Sequence, residues 1–230
     1  MKILVLGDST TFGAELSDLP TTRFGPYGND YVEVDQDRKF SPPSSLAWPA
    51  VLGNKLDCKI NNQSIVGGSN DRIFRLAIEQ ILQECWDLVI CAWTSVDRFD
   101  LTDGTRDLAI SVKSNWGAEW VKQFVTTHWN QNRADINFIT KLLALQGFFA
   151  QHKQPYLFVK SLEIILCQQA AELEKHLDRT FCVDWSNDFY KWTQLDPKGP
   201  DGHTLEQGHM RIANIMYQHI TNKSLIRRDV

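Results

Sequence analysis

The chain has 230 residues, of which 43% are hydrophobic and 23% charged, and its formal net charge at pH 7 is −4. This length and apolar fraction predict a single folded domain, residues 1–230, with a full-sized core. The acidic balance argues against a nucleic acid or an anionic membrane as partner, because both require a basic face.

Short apolar runs alternate with longer amphipathic segments, which is typical of a parallel sheet covered by helices. In chain order, the predicted strands are Lys2–Gly7, Cys58–Asn62, Asp87–Trp93, Pro155–Val159 and Thr180–Val183. The predicted helices are Ser44–Leu56, Asn70–Cys85, Arg133–His152 and Leu205–Thr221, with one more in the later part of Leu162–Leu177. We therefore expect a three-layer α/β/α fold around a mostly parallel, five-stranded sheet.

Two regions interrupt this alternation. Glu15–Pro43 is rich in Pro, Gly and Asp and predicts a long loop at the exit of the first strand. The second region, about 98–130, is too aromatic to be disordered and predicts an ordered insertion. Its tryptophans either form the core of the insertion or line a substrate cleft: Trp116, Trp120 and Trp129.

The cysteine pattern and the N-terminus bear on the compartment. The five cysteines include no CxxC pair, and those beside apolar runs are expected to be reduced core residues: Cys58, Cys91 and Cys182. The apolar start is too short for a signal peptide, and no stretch is long enough to cross a bilayer. We expect a cytoplasmic protein, and association with a virus particle stays open.

The first strand leads directly into a candidate nucleophile. It ends at Gly7 and continues into Asp8 and Ser9. A glycine permits a tight turn, and a serine at the start of the next helix lies near backbone N–H groups that can receive an oxyanion. The structural alternative is that Ser9 only caps the helix.

Three blocks resemble, in order, those of the SGNH (GDSL-type) hydrolases, a family of serine esterases and acyl hydrolases with a flavodoxin-like sheet. Gly7-Asp8-Ser9-Thr10 matches the block that carries the nucleophile. Asn61 to Ser69 looks like the second block, whose glycine helps to bind the oxyanion; here that is Gly67 or Gly68. Asp201-Gly202-His203 looks like the last block. The resemblance implies a triad of Ser9, His203 and Asp201.

The third block departs from the family, which has Gly-x-Asn-Asp after the third strand. Here that strand runs into Trp93-Thr94-Ser95, and Ser95 stands where the oxyanion-binding asparagine is expected. Ser95 is either the third donor or only a polar strand end, with Asn62 as another candidate. The pair Asn70-Asp71 looks like the missing motif, but we interpret it as cap and surface of a helix.

The last block also differs in spacing. The family commonly has three residues of step from aspartate to histidine, whereas Asp201 and His203 are two apart. We expect Asp201 to orient the imidazole; a backbone carbonyl or another carboxylate is the alternative. His209, one turn into the last helix, is expected to be structural.

These features together favour an ester hydrolase, either an esterase or a carbohydrate O-deacetylase, acting on a small-molecule or carbohydrate ester. No metal is expected, because the remaining histidines lack ligand spacing, and no cofactor is expected, because the phosphate-binding glycine motifs are absent. A non-catalytic relative that serves as a binding or structural module, for example in a phage particle, is the main alternative. A flavodoxin-like small-molecule binder is the third. The sequence does not indicate an oligomeric state.

Overall fold

The computed structural model describes residues 1–19, 42–102, 107–112 and 119–225. Its strands are β1 (Lys2–Leu6), β2 (Lys59–Asn62), β3 (Leu88–Trp93), β4 (Arg98–Thr102), β5 (Asp107–Ser111) and β6 (Tyr156–Lys160). Its helices are α1 (Ser9–Phe12), α2 (Trp48–Leu56), α3 (Asn70–Gln83), α4 (Glu119–His128), α5 (Gln131–Gln151), α6 (Gln168–Glu174), α7 (Phe189–Trp192) and α8 (Glu206–Asn222).

The main sheet has four parallel strands in the order β2-β1-β3-β6. The side chains of β3 from Leu88 to Trp93 are fully buried, as are those of Ile3 to Leu6 in β1. Continuous apolar runs of this kind form because helices cover both faces of a parallel sheet. The predicted mixed α/β fold with a central parallel sheet is confirmed.

Alternate side chains of the central strands enter two separate cores. On one face, Leu4 and Trp93 pack with Phe138 and Phe149 of α5 and with residues of α3 and α6. On the other face, Ile3 and Ile90 pack with residues of α2 and α8. The carboxyl ends of all four strands point to the same edge, where ligands bind in open α/β sheets.

The predicted fifth strand, Thr180–Val183, pairs with the sheet through a single β-bridge. Residues Arg179–Phe181 form a 3-10 turn, because the Asp178 side chain accepts a hydrogen bond from the Thr180 N–H at 2.9 Å. Only Cys182 pairs with the sheet, in parallel with Phe158 of β6. The expectation of a full strand over Thr180–Val183 was therefore wrong, although its position beside β6 was right.

The aromatic insertion has secondary structure. Strands β4 and β5 form an antiparallel pair, and α4 follows. The ring of Phe99 stacks on Trp129 with a centroid distance of 5.1 Å. Trp116 and the side chain of Trp120 lie outside the described residues, as does most of the predicted loop Glu15–Pro43, from residue 20 to residue 41.

All five cysteines are free. Burial raises the pKa of the Cys91 thiol and raises that of Cys182 to about 12. Among the helices of the described ranges, none is long and apolar enough to cross a membrane.

His209 joins the last helix to the core. Its side chain is completely buried, and its Nδ1 atom accepts a hydrogen bond from the Trp48 N–H at 3.0 Å. Burial, followed by the charge of His203, lowers the pKa of His209 from 6.5 to about 4. The residue is therefore held neutral between α2 and α8, in line with the structural role expected for it.

Acidification should unfold the protein partly through His209. The unfolded chain binds this proton near pH 6.5, whereas the folded chain binds it near pH 4, so the stabilisation is complete above pH 6.5 and is lost as the pH falls towards 4. We expect this group to lower the free energy of unfolding by about 3 kcal/mol over that range.

Urea denaturation between pH 7.5 and pH 4.5 measures this contribution. His209→Asn keeps an acceptor for the Trp48 N–H and should flatten the pH dependence. His176→Asn, at an exposed position, should leave the wild-type dependence unchanged. Equal dependence in all three proteins would contradict the assignment.

Candidate active site

The turn after β1 holds Ser9 at the first position of α1. A Cβ atom on Gly7 would lie 2.5 Å from Thr11 Oγ1, so a side chain at position 7 would force the turn open. Asp8 is the N-cap of α1, and its carboxylate accepts from the Thr10 N–H at 3.2 Å. Ser9 itself is only 5% exposed. The turn therefore fixes the direction of the Ser9 side chain.

The carboxylate of Asp8 ties three strand ends together. It is buried and accepts hydrogen bonds from Thr94 Oγ1 at 2.9 Å and from Ser161 Oγ at 2.8 Å. These hydroxyls follow β3 and β6. Arg98 Nη1 lies 3.7 Å from the same carboxylate, so the buried negative charge has a cation beside it. Asp8 thus orders the loops around Ser9.

The imidazole of His203 lies between Ser9 and a carboxylate. Its Nε2 atom is 2.8 Å from Ser9 Oγ, and its Nδ1 atom is 2.8 Å from Glu15 Oε2. One neutral tautomer satisfies both contacts, with Nδ1–H donating to Glu15 and Nε2 accepting from the serine hydroxyl. This is the arrangement of a nucleophile, a base and an orienting acid.

The carboxylate beside His203 is that of Glu15. Helix α1 is capped at its C-terminus by Gly13, with φ 89°. Two residues later, Glu15 has φ 68°, a left-handed conformation that is uncommon for a residue with a side chain. A Cβ atom on Gly199 would lie 2.6 Å from Glu15 Cδ, so the carboxylate packs directly against that glycine. Strained backbone of this kind, which costs about 1–3 kcal/mol, is concentrated at functional sites.

Asp201 does not make the contact expected of it. Gly202 adopts φ 86° and turns the chain there. The N–H groups of Asp201 and His203 both donate to Glu15, at 2.8 Å and 3.1 Å. The Asp201 side chain is exposed. The expectation that Asp201 orients the imidazole was therefore wrong, and the alternative of another carboxylate is what the structure contains.

The glycine pair of the second block packs on the serine turn. A Cβ atom on Gly68 would lie 2.8 Å from the Gly7 carbonyl oxygen. The Gly68 N–H donates to the Ile65 carbonyl at 3.2 Å, whereas Gly67 is left-handed with φ 74°. Within the described residues, no acceptor faces the Gly67 N–H or the Ser9 N–H. Of the two glycines, Gly67 is therefore the one whose N–H has no acceptor in the described part of the chain.

The two side chains predicted as further oxyanion donors make hydrogen bonds to other groups. Ser95 Oγ donates to the Asp97 carboxylate. Asn62 Nδ2 donates to the Thr11 carbonyl at 2.8 Å. The hydroxyl of Ser95 and the amide of Asn62 thus stabilise loops in this structure.

Asn70 is a structural clamp rather than a helix-surface residue. It is only 4% exposed, and Ser69 is the actual N-cap of α3. The Asn70 amide donates to the Thr94 carbonyl and accepts from the Thr94 N–H, both at 3.0 Å. The expectation of a solvated cap was wrong because the side chain turns inward and holds the end of β3.

A model of a family of unknown function, DUF6071, matches residues 33–176, which is more than half of the chain. The chain belongs to the DUF6071 family. The matched segment begins after Ser9 and Glu15 and ends before His203, so the three contacting residues lie outside it. No curated protein matches this DUF6071 chain in sequence.

Solved structures similar to the DUF6071 chain are esterases. The psychrotrophic esterase EstA from Pseudoalteromonas sp., in a structure inhibited by monoethylphosphonate, is 12% identical with a TM-score of 0.53, covering 96% of this chain and 97% of its own. The acetyl xylan esterase AlAXEase is 11% identical with a TM-score of 0.51, covering 96% and 100%. A family two carbohydrate esterase from Clostridium thermocellum in complex with cellohexaose is 13% identical with a TM-score of 0.50, covering 97% of this chain and 64% of its own. At these identities the likeness shows a shared fold.

Removal of the Asp8 carboxylate should destabilise the protein. Asp8→Ala leaves two buried hydroxyls without their acceptor and a cation without its partner, so we expect the free energy of unfolding to fall by about 3 kcal/mol. Asp201→Ala, at an exposed carboxylate, should change it by less than about 0.5 kcal/mol. Urea denaturation at pH 7.5 measures both, and equal losses would show that Asp8 does not hold the strand ends.

Proposed function

We propose that this protein hydrolyses esters, with Ser9 as nucleophile, His203 as general base and acid, and Glu15 as the residue that orients the imidazole. The observation that carries the proposal is the pair of 2.8 Å contacts that His203 makes with Ser9 and Glu15. The fold supports the same reaction class, because structures that share it are esterases.

In the first half of the reaction, Ser9 Oγ attacks the ester carbonyl while His203 Nε2 takes the hydroxyl proton. The new Oγ–carbon bond gives a tetrahedral oxyanion. Collapse of this intermediate breaks the bond to the alcohol, and His203 returns the proton to the leaving oxygen. An acyl group is then bound to Ser9.

In the second half, water attacks the acyl carbonyl and His203 accepts one of its protons. The second oxyanion collapses, the Ser9 oxygen leaves with the proton from His203, and the acid is released. Glu15 keeps Nδ1 protonated throughout and stabilises the imidazolium that forms twice in the cycle.

The oxyanion is stabilised by the N–H groups of Ser9 and Gly67. Both belong to backbone that tight packing holds in place, so they need no reorganisation as the charge develops. In the family that the sequence resembles, an asparagine side chain adds a third donor. Its loss typically costs about 100- to 1,000-fold in turnover, so we expect this protein to be slower than a three-donor enzyme.

Short acyl esters of carbohydrates are the substrates to test first. Two of the similar structures are an acetyl xylan esterase and a carbohydrate esterase that binds cellohexaose. In this chain, the stacked rings of Phe99 and Trp129 provide an apolar face in the insertion, and sugars bind well on such faces. A non-catalytic binding protein is the outcome if no ester is cleaved.

A fluorophosphonate probe tests the nucleophile directly. Its phosphorus forms a bond with Ser9 Oγ as fluoride leaves, so the wild-type protein should gain the mass of the phosphonyl group. We expect no labelling of Ser9→Ala and labelling at least about 100-fold slower in His203→Ala, because the base is absent. Intact-mass spectrometry over time measures the rate. A folded wild-type protein that stays unlabelled would support the non-catalytic alternative.

The identity of the acid is tested by two matched substitutions. Glu15→Gln retains an oxygen for the backbone N–H groups of the loop but loses the charge, so kcat for p-nitrophenyl acetate should fall by roughly 100- to 10,000-fold. Asp201→Asn should retain kcat within about twofold, because surface substitutions seldom disturb the fold. The reverse ranking of the two variants would restore Asp201 as the acid.

A further inference from the structure

A cavity of about 260 Å³ lies between the starts of α3 and α5 and the aromatic insertion. We call it the Arg98 cavity. Its lining includes Asn70, Arg98, Phe99, Trp129, Arg133 and Lys141. Its volume suits one ring-sized substituent rather than a long chain.

The lining is basic, although the chain as a whole is acidic. The lining includes three cationic side chains, those of Arg98, Arg133 and Lys141, and one carboxylate, that of Asp71. Lys141 Nζ is 2.9 Å from Asp71 Oδ1, so these two charges compensate each other. Arg133 is exposed, and across the described ranges it has no acidic partner. Positive charge concentrated in a cavity attracts an anionic ligand.

Arg98 has unused hydrogen-bonding capacity. Its side chain is 18% exposed, and its Nη1 atom is buried without a hydrogen-bond acceptor among the described residues. The nearest charge is Asp8 Oδ2 at 3.7 Å, which is beyond hydrogen-bond length. A guanidinium with free N–H groups matches the two oxygens of a carboxylate or phosphate.

An apolar wall adjoins these cations. The rings of Phe99 and Trp129 stack with an interplanar angle of 23°, and both line the cavity. A ligand that presents a ring beside an anionic group would therefore meet an aromatic face and a guanidinium together. A neutral aliphatic acyl chain would offer the guanidinium N–H groups no hydrogen-bond acceptor.

The Arg98 cavity is connected to the proposed nucleophile through short contacts. Arg98 lies beside Asp8, which directly precedes Ser9. Asn70 lines the cavity and clamps Thr94, and the Thr94 hydroxyl donates to the same Asp8 carboxylate. A group bound in the cavity is thus placed near the reacting end of the sheet.

We propose that the Arg98 cavity binds a carboxylate or phosphate group carried by the ester substrate, next to a ring that packs on Phe99 and Trp129. This assignment of a substrate class rests on the proposed ester hydrolysis. The anionic group of the substrate would contact Arg98 and Arg133.

Three acetates test the proposal kinetically: 4-acetoxybenzoate, 4-acetoxyphenyl phosphate and the neutral 4-acetoxybenzamide. The readout is the ratio of kcat/KM for each anion to that for the benzamide, because a general loss of activity cancels in this ratio. Arg98→Gln and Arg133→Gln should each lower the ratio by about tenfold for the anion that the cavity accepts. The two anionic acetates distinguish a carboxylate from a phosphate.

Arg179→Gln is the matched control, since Arg179 lies on the 3-10 turn and pairs with Glu174 at 3.0 Å. It should keep the wild-type ratio. The proposal is overturned if the ratios for both anions are the same in the wild type and in the Arg98 and Arg133 variants, or if Arg179→Gln lowers them equally.

A binding measurement separates this proposal from the hydrolysis on which it rests. Calorimetric titration of Ser9→Ala with 4-hydroxybenzoate, 4-hydroxyphenyl phosphate and 4-hydroxybenzamide requires no turnover. We expect one anion to bind at least about tenfold more tightly than the benzamide, and Arg98→Gln in the same background to abolish that preference. Hydrolysis of the acetates without any anion preference in binding would reject the cavity assignment alone. Absence of hydrolysis with a preserved preference would reject the reaction alone.

Discussion

The carboxylate of Glu15 is the constraint on which the candidate site depends. It accepts the N–H groups of Asp201 and His203 as well as the imidazole Nδ1, so a single side chain fixes both the path of the last loop and the orientation of the ring. Glu15 has left-handed backbone and packs against Gly199. The position of its carboxylate is therefore rigid, and the backbone there is locally strained.

The parallel sheet makes this arrangement possible. It brings the ends of β1, β3 and β6 to one edge, and the buried Asp8 joins them through hydroxyl groups. Ser9 is then presented by a turn whose shape depends on close packing at Gly7 and Gly68. The same edge borders the basic cavity around Arg98, so the binding and chemical parts that we propose share one structural support.

The sequence predicted the sheet and most helices well, because apolar runs buried on both faces and amphipathic periodicity are local signals. It also singled out Ser9 and His203, which the structure brings into contact. Glu15 could not be found in this way, since no spacing rule relates it to His203, and Asp201 lies much nearer in the sequence although its spacing differs from that of the family. The β4–β5 hairpin was missed, although Arg98–Thr102 alternates polar and apolar side chains as a half-buried strand does.

The rate of fluorophosphonate labelling in a double-mutant cycle of Glu15→Gln and His203→Ala tests most directly whether these residues act as one unit. If Glu15 works only through the imidazole, its substitution slows labelling strongly in the wild-type background and hardly at all once His203 is absent. Equal slowing by Glu15→Gln in both backgrounds would mean that the carboxylate acts independently of the histidine, and the role proposed for Glu15 would be wrong.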